Sequence, residues 1–177
     1  SVALYDIVRK NLSITDPNDR TRVIPVGQQG SRGIELAARW KPAAAWQGAV
    51  QLAWTDARFD DFFETVGTTV VSRAGNRPAN TPSWVAGAQI GWQLLPAVAL
   101  QADWRQVGRR FANTANTAWE SGYQLLGLGA SWQVTREALL RLRVDNATDK
   151  AYAATVGSNM VVLGAPRTVQ LIADLKF

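Results

Sequence analysis

The sequence contains no cysteine and no histidine. Disulfides, thiolate or imidazole zinc sites, and any triad or metal mechanism that needs either side chain are thereby excluded. Most common hydrolase chemistries go with them, and no pair of nucleophile and base can be nominated. Also missing is any apolar run near the ~20 residues that a membrane helix needs, and mean hydropathy is slightly negative at −0.10. Helical spanning is out. Spanning by strands is not, because alternation hides a strand's hydrophobicity. The charges lack clustering: 19 Lys and Arg against 14 Asp and Glu give a formal +5, but no basic run or RNP-like aromatic motif gathers them, so no nucleic-acid partner is expected. The opening SVALYDIVRKNL has neither the charged nor the long apolar segment of a signal peptide, and starting inside a strand-like stretch it gives the expectation of a processed or cut chain.

What the sequence does have is alternation. Its last stretch, GAPRTVQLIADLKF, sets Val169, Leu171, Ala173, Leu175 and Phe177 on one face and Gln170, Ile172, Asp174 and Lys176 on the other, the period of a strand. Seven strands are expected before it. Val2 to Ile14 alternates poorly. Gly30 to Trp40 and Trp46 to Asp60 are clearer, and Ser83 to Leu94 is the cleanest, with Trp84, Ala86, Ala88, Ile90, Trp92 and Leu94 opposite Val85, Gly87, Gln89, Gly91 and Gln93. Then come Val98 running toward Phe111, a strand around Leu126 to Gln133, and Leu140 to Asp145. Thr15 to Gln29, Asp61 to Pro82, Ala112 to Ser121 and the stretch before the last strand are expected as long loops. The remaining links are short: KPAAA, Leu95-Pro96 and Thr135 to Glu137.

Long and short connections therefore alternate, the asymmetry of outer-membrane barrels. Expected strands of about 11 to 13 residues also exceed the usual five or six and suffice to cross a bilayer at a tilt. Trp46 and Trp54 sit eight residues apart on one face, as do Trp84 and Trp92. At ~3.3 Å per residue and a tilt near 40° each pair spans about 20 Å, close to the height of an apolar band between two aromatic girdles. Facing follows from energy: an Arg on the lipid face costs about 2–4 kcal/mol near the midplane, so Arg141 and Arg143, alternating with Leu140, Leu142 and Val144, are expected to face the lumen. Arg105, Asp103, Gln101, Gln89 and Gln93 join them by parity.

Several motifs resemble those of the TonB-dependent outer-membrane receptors. Asn146, Asp149, Lys150 and Tyr152 in NATDKAY are similar to the Asn-Leu-Phe-Asp-Lys-x-Tyr segment near the end of such receptors, with Ala147 and Thr148 where the family usually carries Leu and Phe. Gly164, Pro166 and Arg167 in GAPRT resemble the segment opening their last strand. Gly33 with Glu35, Gly75 with Asn76 and Pro82, and Val107 with Gly108 are similar in order and spacing. The resemblance implies an all-β fold: an antiparallel up-and-down transmembrane barrel segment, residues 1–177, supplying the last eight strands of a 22-stranded barrel in the bacterial outer membrane. It implies a plug and a signal peptide outside these residues, and a receptor that takes up a ferric siderophore or similar scarce nutrient. The implied partners are outer-membrane lipid, TonB acting through the plug, the ligand, and the barrel-assembly machinery, which would read Leu175 and Phe177. The chemistry would be binding and gating, without an enzyme activity or a cofactor.

Inward Arg105, Arg141 and Arg143 could attract an anionic ligand, pair with plug carboxylates, or pair structurally with Asp103 and Asp145. Phe62, Phe63, Trp119 and Tyr123, in or beside the long loops, could form an aromatic ligand platform or serve as interface anchors. Asp56, Asp60, Asp61 and Glu64 match no complete calcium loop and are expected in a solvated loop. Two other readings stand: a complete eight-stranded outer-membrane barrel with a structural or adhesion role, and a soluble barrel or sandwich. Small inward residues, Gly87, Gly91, Ala99, Gly127 and Gly129, point to a wide lumen and an open sheet whose first and last strands are not paired.

Overall fold

A computed structural model describes residues 1–16, 19, 21–157 and 160–176. All regular structure among them is β. The strands are β1 Val2–Thr15, β2 Val23–Ala43, β3 Trp46–Asp61, β4 Phe63–Val66, β5 Thr69–Ser72, β6 Trp84–Leu95, β7 Val98–Val107, β8 Arg110–Phe111, β9 Trp119–Glu120, β10 Tyr123–Gln133, β11 Ala138–Asp145, β12 Ala153–Gly157, β13 Met160–Leu163 and β14 Thr168–Leu175. Eight form one sheet in the order β1-β2-β3-β6-β7-β10-β11-β14, every neighbouring pair antiparallel. The other six make three small hairpins, one in each of the long connections after β3, β7 and β11. Among the described residues β1 and β14 share no ladder, so the sheet is open as expected.

Register places the expected faces where alternation put them. Trp54 pairs with Trp84 and Trp46 with Trp92, whose rings stack at 5.0 Å. Leu36, Trp40, Val50, Leu52, Ile90, Leu100, Leu128, Trp132, Leu142 and Leu171 all lie on that same side and are exposed. The opposite side is polar and concave: Arg39, Gln47, Gln89, Gln101 and Arg143 line one cleft although β2 and β11 are five strands apart. Most of the fully buried side chains lie at the sheet's long-loop end. There Phe59 and Phe62 pack at 4.7 Å with Ile24 against them, and Ala57, Val107, Ala153 and Val156 are buried.

Four boundaries differ from the sequence reading. β2 starts at Val23 instead of near Gly30, leaving a connection of only residues 16–22 after β1. Pro25 and Gly27 read as loop signals, but here β2 is paired with β1 alone, since β3 reaches only as far as Gln28. A proline is tolerated where one flank needs no donor. The stretch after Asp61 is not irregular throughout: β4 and β5 form a hairpin, with Gly67 at φ 63° in its two-residue turn, a hairpin position that glycine fills. β7 stops at Val107 instead of running to Phe111, because the Gly108 N–H donates to Trp84 O and the chain turns off into the β8–β9 hairpin. Finally, β11 and β14 have eight residues each, below the 11 to 13 expected of the strands in general, although β11 includes all of the stretch read from Leu140 to Asp145.

The small inward residues do open space, but neighbouring side chains occupy it. A Cβ on Gly87 would lie 2.9 Å from Gln51 Nε2, and one on Gly129 2.5 Å from Gln101 Nε2. Each glutamine lies flat across the glycine it pairs with.

Candidate functional site: the concave face and its loop crown

Arg143 is the centre of the concave face. On β11, its guanidinium reaches across β10 to Asp103 on β7 and also binds Asp145 at 2.7 Å. Gly127 makes this possible: a Cβ there would sit 2.4 Å from Arg143 Nη2 and 2.6 Å from Asp103 Oδ2. Arg141 pairs with Asp174 on β14 at 2.6 Å. Arg105, by contrast, is exposed and has no ion pair among the described residues. It shares a cleft with Arg39, across β3 and β6. Two of the three expected arginines are thus held by carboxylates of neighbouring strands, and one is free. Arg39 and Lys41 were not singled out from sequence, although both lie on the inward parity. Their signal was the same alternation that placed Arg105.

At the long-loop end, the structure scatters the expected aromatic platform. Phe62 is 1 % exposed inside the loop core, whereas Phe63 is 59 % and Trp119 58 % exposed. Trp119 lies beneath Arg109 at 6.0 Å, and Tyr123 packs on Tyr152 at 4.4 Å. Among the described residues no ring contact joins the four to one another.

The family-like corner after β11 is a hydrogen-bonded unit. Asn146, buried and at φ 49°, donates through Nδ2 to Lys150 O (3.0 Å) and Ala165 O (3.1 Å), and its Oδ1 accepts from Lys150 N (2.9 Å). Asp149 accepts from Arg167 N at 2.9 Å, which ties the corner to the segment opening β14. Pro166 accepts from Thr168 Oγ1 at 3.1 Å, in that same opening. Gly164 donates to Tyr152 O at 2.9 Å, and a Cβ on it would fall inside the Tyr152 ring, 1.9 Å from Cζ. Leu175 ends β14 opposite Ala138. Phe177 lies outside the described residues.

Sequence reasoning also missed two polar anchors, having read their acids as solvated. Asp56 is buried and meets Arg58 (3.1 Å), Arg77 (3.0 Å) and Arg32 (3.5 Å). These hold its carboxyl below the usual carboxylate range, the Arg58 hydrogen bond most, with burial opposing. Glu64, also buried, accepts from Arg73 Nε (2.6 Å) and Thr114 Oγ1 (2.7 Å), joining the β3–β6 and β7–β10 connections. No local pattern in the sequence announces pairs 50 residues apart. Asn80, Asn116 and Asn146 sit at positive φ, a conformation that asparagine tolerates but that the sequence reading assigned to none of them.

An exposed apolar convex face with a polar concave one, on long strands with short links at one end, defines a wall of a membrane-spanning barrel. Residues 1–147 match the family described as TonB dependent receptor-like, beta-barrel, and the chain belongs to that family. It is 26% identical, over its whole length, to the ferrioxamine receptor of Yersinia enterocolitica, and 23% identical over 99% to the ferrichrome outer membrane transporter/phage receptor of Escherichia coli. Of those relatives it spans only about a quarter, 25% and 24%. The siderophore receptor PiuA of Acinetobacter baumannii superposes with a TM-score of 0.84 at 20% identity, over 99% of this chain and 26% of that one. The preacinetobactin receptor BauA of the same organism gives 0.79 at 25%, over 99% and 27%. The fold is thus part of a TonB-dependent receptor barrel, and its place is the outer membrane of Gram-negative bacteria. The small closed barrel and the soluble sandwich are set aside by the open sheet together with these matches.

Proposed function

We propose that residues 1–177 are the C-terminal wall of a receptor that takes up a ferric siderophore or a similar scarce nutrient, driven by TonB through a plug carried elsewhere in the receptor. The observation that carries this reading is the family match over residues 1–147, on a sheet whose concave face is polar and whose edges are open. The relatives named for ferrioxamine and ferrichrome favour an iron chelate as cargo. Within this wall, Arg39, Lys41 and Arg105 are inward cations without an ion pair among the described residues, free to meet an anionic ligand or a plug carboxylate, while Arg141 and Arg143 brace the wall. Phe63, Trp119 and Tyr123 remain candidates for separate ligand contacts from the loops, and Phe62 serves their packing. Lipid covers the convex face, and the barrel-assembly machinery reads the last strand. The work is binding and gating, with no bond made or broken.

The test is uptake of radioactive iron by cells whose sole receptor is the full-length protein, offered hydroxamate and catecholate chelates, with labelled vitamin B12 in parallel. Uptake of at least one cargo that disappears when TonB is deleted is the expected result. Uptake of none, or uptake indifferent to TonB, overturns the reading. If the cargo is anionic, replacing Arg39 and Arg105 by Gln raises its half-saturating concentration by about two- to five-fold, the worth of exposed charge pairs.

A further inference from the structure

The convex face changes character at one level across three strands. Leu4, Ile34 and Trp54 are register partners in β1, β2 and β3, all exposed, and Trp84 of β6 continues their row. One step nearer the long loops the partners are Asp6, Arg32 and Asp56, and Arg58 follows one step beyond, opposite Gly30. Each step is two residues, about 6–7 Å along a strand. The charges therefore begin just above the upper Trp row, where a bilayer passes from hydrocarbon to headgroups.

Asp56 gathers three guanidiniums at this level. Arg77 is the most enclosed of them and is fully committed, Nη2 to Asp56 Oδ1 at 3.0 Å and Nη1 to Thr55 O at 2.9 Å. Arg58 donates through Nε to both Asp56 oxygens (3.1 and 3.2 Å) and through Nη1 to Gly75 O (3.2 Å), which leaves Nη2 without a bond among the described residues. Arg32 only approaches Asp56, at 3.5 Å, and makes no hydrogen bond among the described residues. The side chains of Arg32 and Arg58 are 71 % and 56 % exposed. One carboxylate does not balance three guanidiniums. Two others lie on the same side, Asp6 opposite Arg32 and Asp60 bound to Gln28 over Gly30, and neither comes within ion-pair distance of the three arginines.

We propose that Arg32 and Arg58, drawn together by Asp56, bind the phosphate of a phosphorylated lipid in the outer leaflet. A guanidinium presents a planar fork of donors that matches phosphate oxygens, and a charge-assisted bond of this kind is about twice as strong as a neutral one. Asp56 fixes the forks on one spot, and the Arg58 Nη2 and the whole Arg32 head still have donors to give. A lipid fits the place better than free phosphate does, because the row directly below is apolar and exposed: a headgroup on the arginines lays its acyl chains on Leu4, Ile34 and Trp54. The site is on the opposite side of the sheet from Arg39 and Arg105, so it is separate from any cargo site on the concave face. It would fix the depth of this wall in the membrane.

The test titrates purified full-length receptor in detergent with bisphosphorylated lipid A, with the same lipid stripped of its phosphates, and with inorganic phosphate as competitor, bound lipid being counted by native mass spectrometry. Wild type is expected to bind the phosphorylated lipid about tenfold more tightly than the stripped one. Arg32→Gln with Arg58→Gln should remove most of that preference and leave binding of the stripped lipid unchanged. Arg32→Gln alone, which breaks no hydrogen bond among the described residues, should already cost about threefold. Arg136→Gln, which takes a charge from the exposed short link at the other end of the wall, should change nothing. The proposal is overturned if wild type does not distinguish the two lipids, or if the preference survives in the Arg32→Gln variant at full strength. Displacement of the lipid by inorganic phosphate at equal concentration would assign a free anion and overturn the lipid. Misfolding of the double variant would not shelter the proposal, because Arg32→Gln alone can sink it.

Discussion

At the corner after β11, one side chain satisfies three backbone groups while its own backbone sits at φ 49°. Asn146→Ala removes those bonds and places a Cβ-bearing residue without a local hydrogen bond in the left-handed region, an expected loss of about 2–4 kcal/mol. Asn146→Gly relieves only the backbone part, so it should fall between Ala and wild type. Denaturant midpoints of the intact receptor check the order, and an Asn146→Gly as stable as wild type would show that the bonds contribute nothing. Asp56, two residues beyond Trp54 and outside the apolar band, gives a pH dependence. Its folded pKa is depressed, chiefly by the Arg58 hydrogen bond and then by the charges of Arg58, Arg77 and Arg32. The stabilisation is therefore present above the unfolded value of about 3.9 and is lost as pH falls through the lower folded value. Amide-exchange protection around Asn76 and Arg77 should drop in that window, and Asp56→Asn should flatten the dependence.

The strands carry their facing as parity, and substitutions test it. Leu142 lies on the exposed apolar side, while Arg141, its neighbour, is paired with Asp174 on the concave side. Leu142→Arg should cost about 2–4 kcal/mol near the bilayer midplane. Arg141→Leu gives up a pair whose two members are both exposed, worth at most about 1 kcal/mol. Membrane-assembled receptor, quantified for each variant, is expected to fall far more for Leu142→Arg, and equal losses would refute the facing. This parity was legible because Leu140, Leu142 and Val144 alternate strictly with Arg141, Arg143 and Asp145, and strands of a barrel wall bury nothing that would blur the pattern. The loops were less legible for the opposite reason. Phe62 beside Phe63 gives no local sign of which is buried, since Phe62 is covered by Phe59 through the fold of the connection. Glu64 was read as solvated because its partner Thr114 is 50 residues away.

The molecule as a whole is an arc of wall with two free edges. β1 pairs only with β2, and β14 only with β11, so among the described residues each presents one flank of unpaired N–H and C=O groups. In hydrocarbon every such group costs several kcal/mol, and β1 alone is 14 residues long. No arrangement of these eight strands as an open sheet is therefore tolerable in a bilayer, although the convex face requires one. An open sheet is tolerated only where further strands pair with both edges, which is in keeping with a chain that spans about a quarter of its curated relatives. Residues 1–177 refolded alone with lipid vesicles should accordingly fail to insert as monomers and should stay sensitive to protease or aggregate through their edges. The full-length receptor, refolded in the same vesicles, should protect these strands. A monomeric, protease-protected species formed by the 177 residues alone would mean that β1 and β14 meet, closing the sheet by a ladder that this structure does not contain.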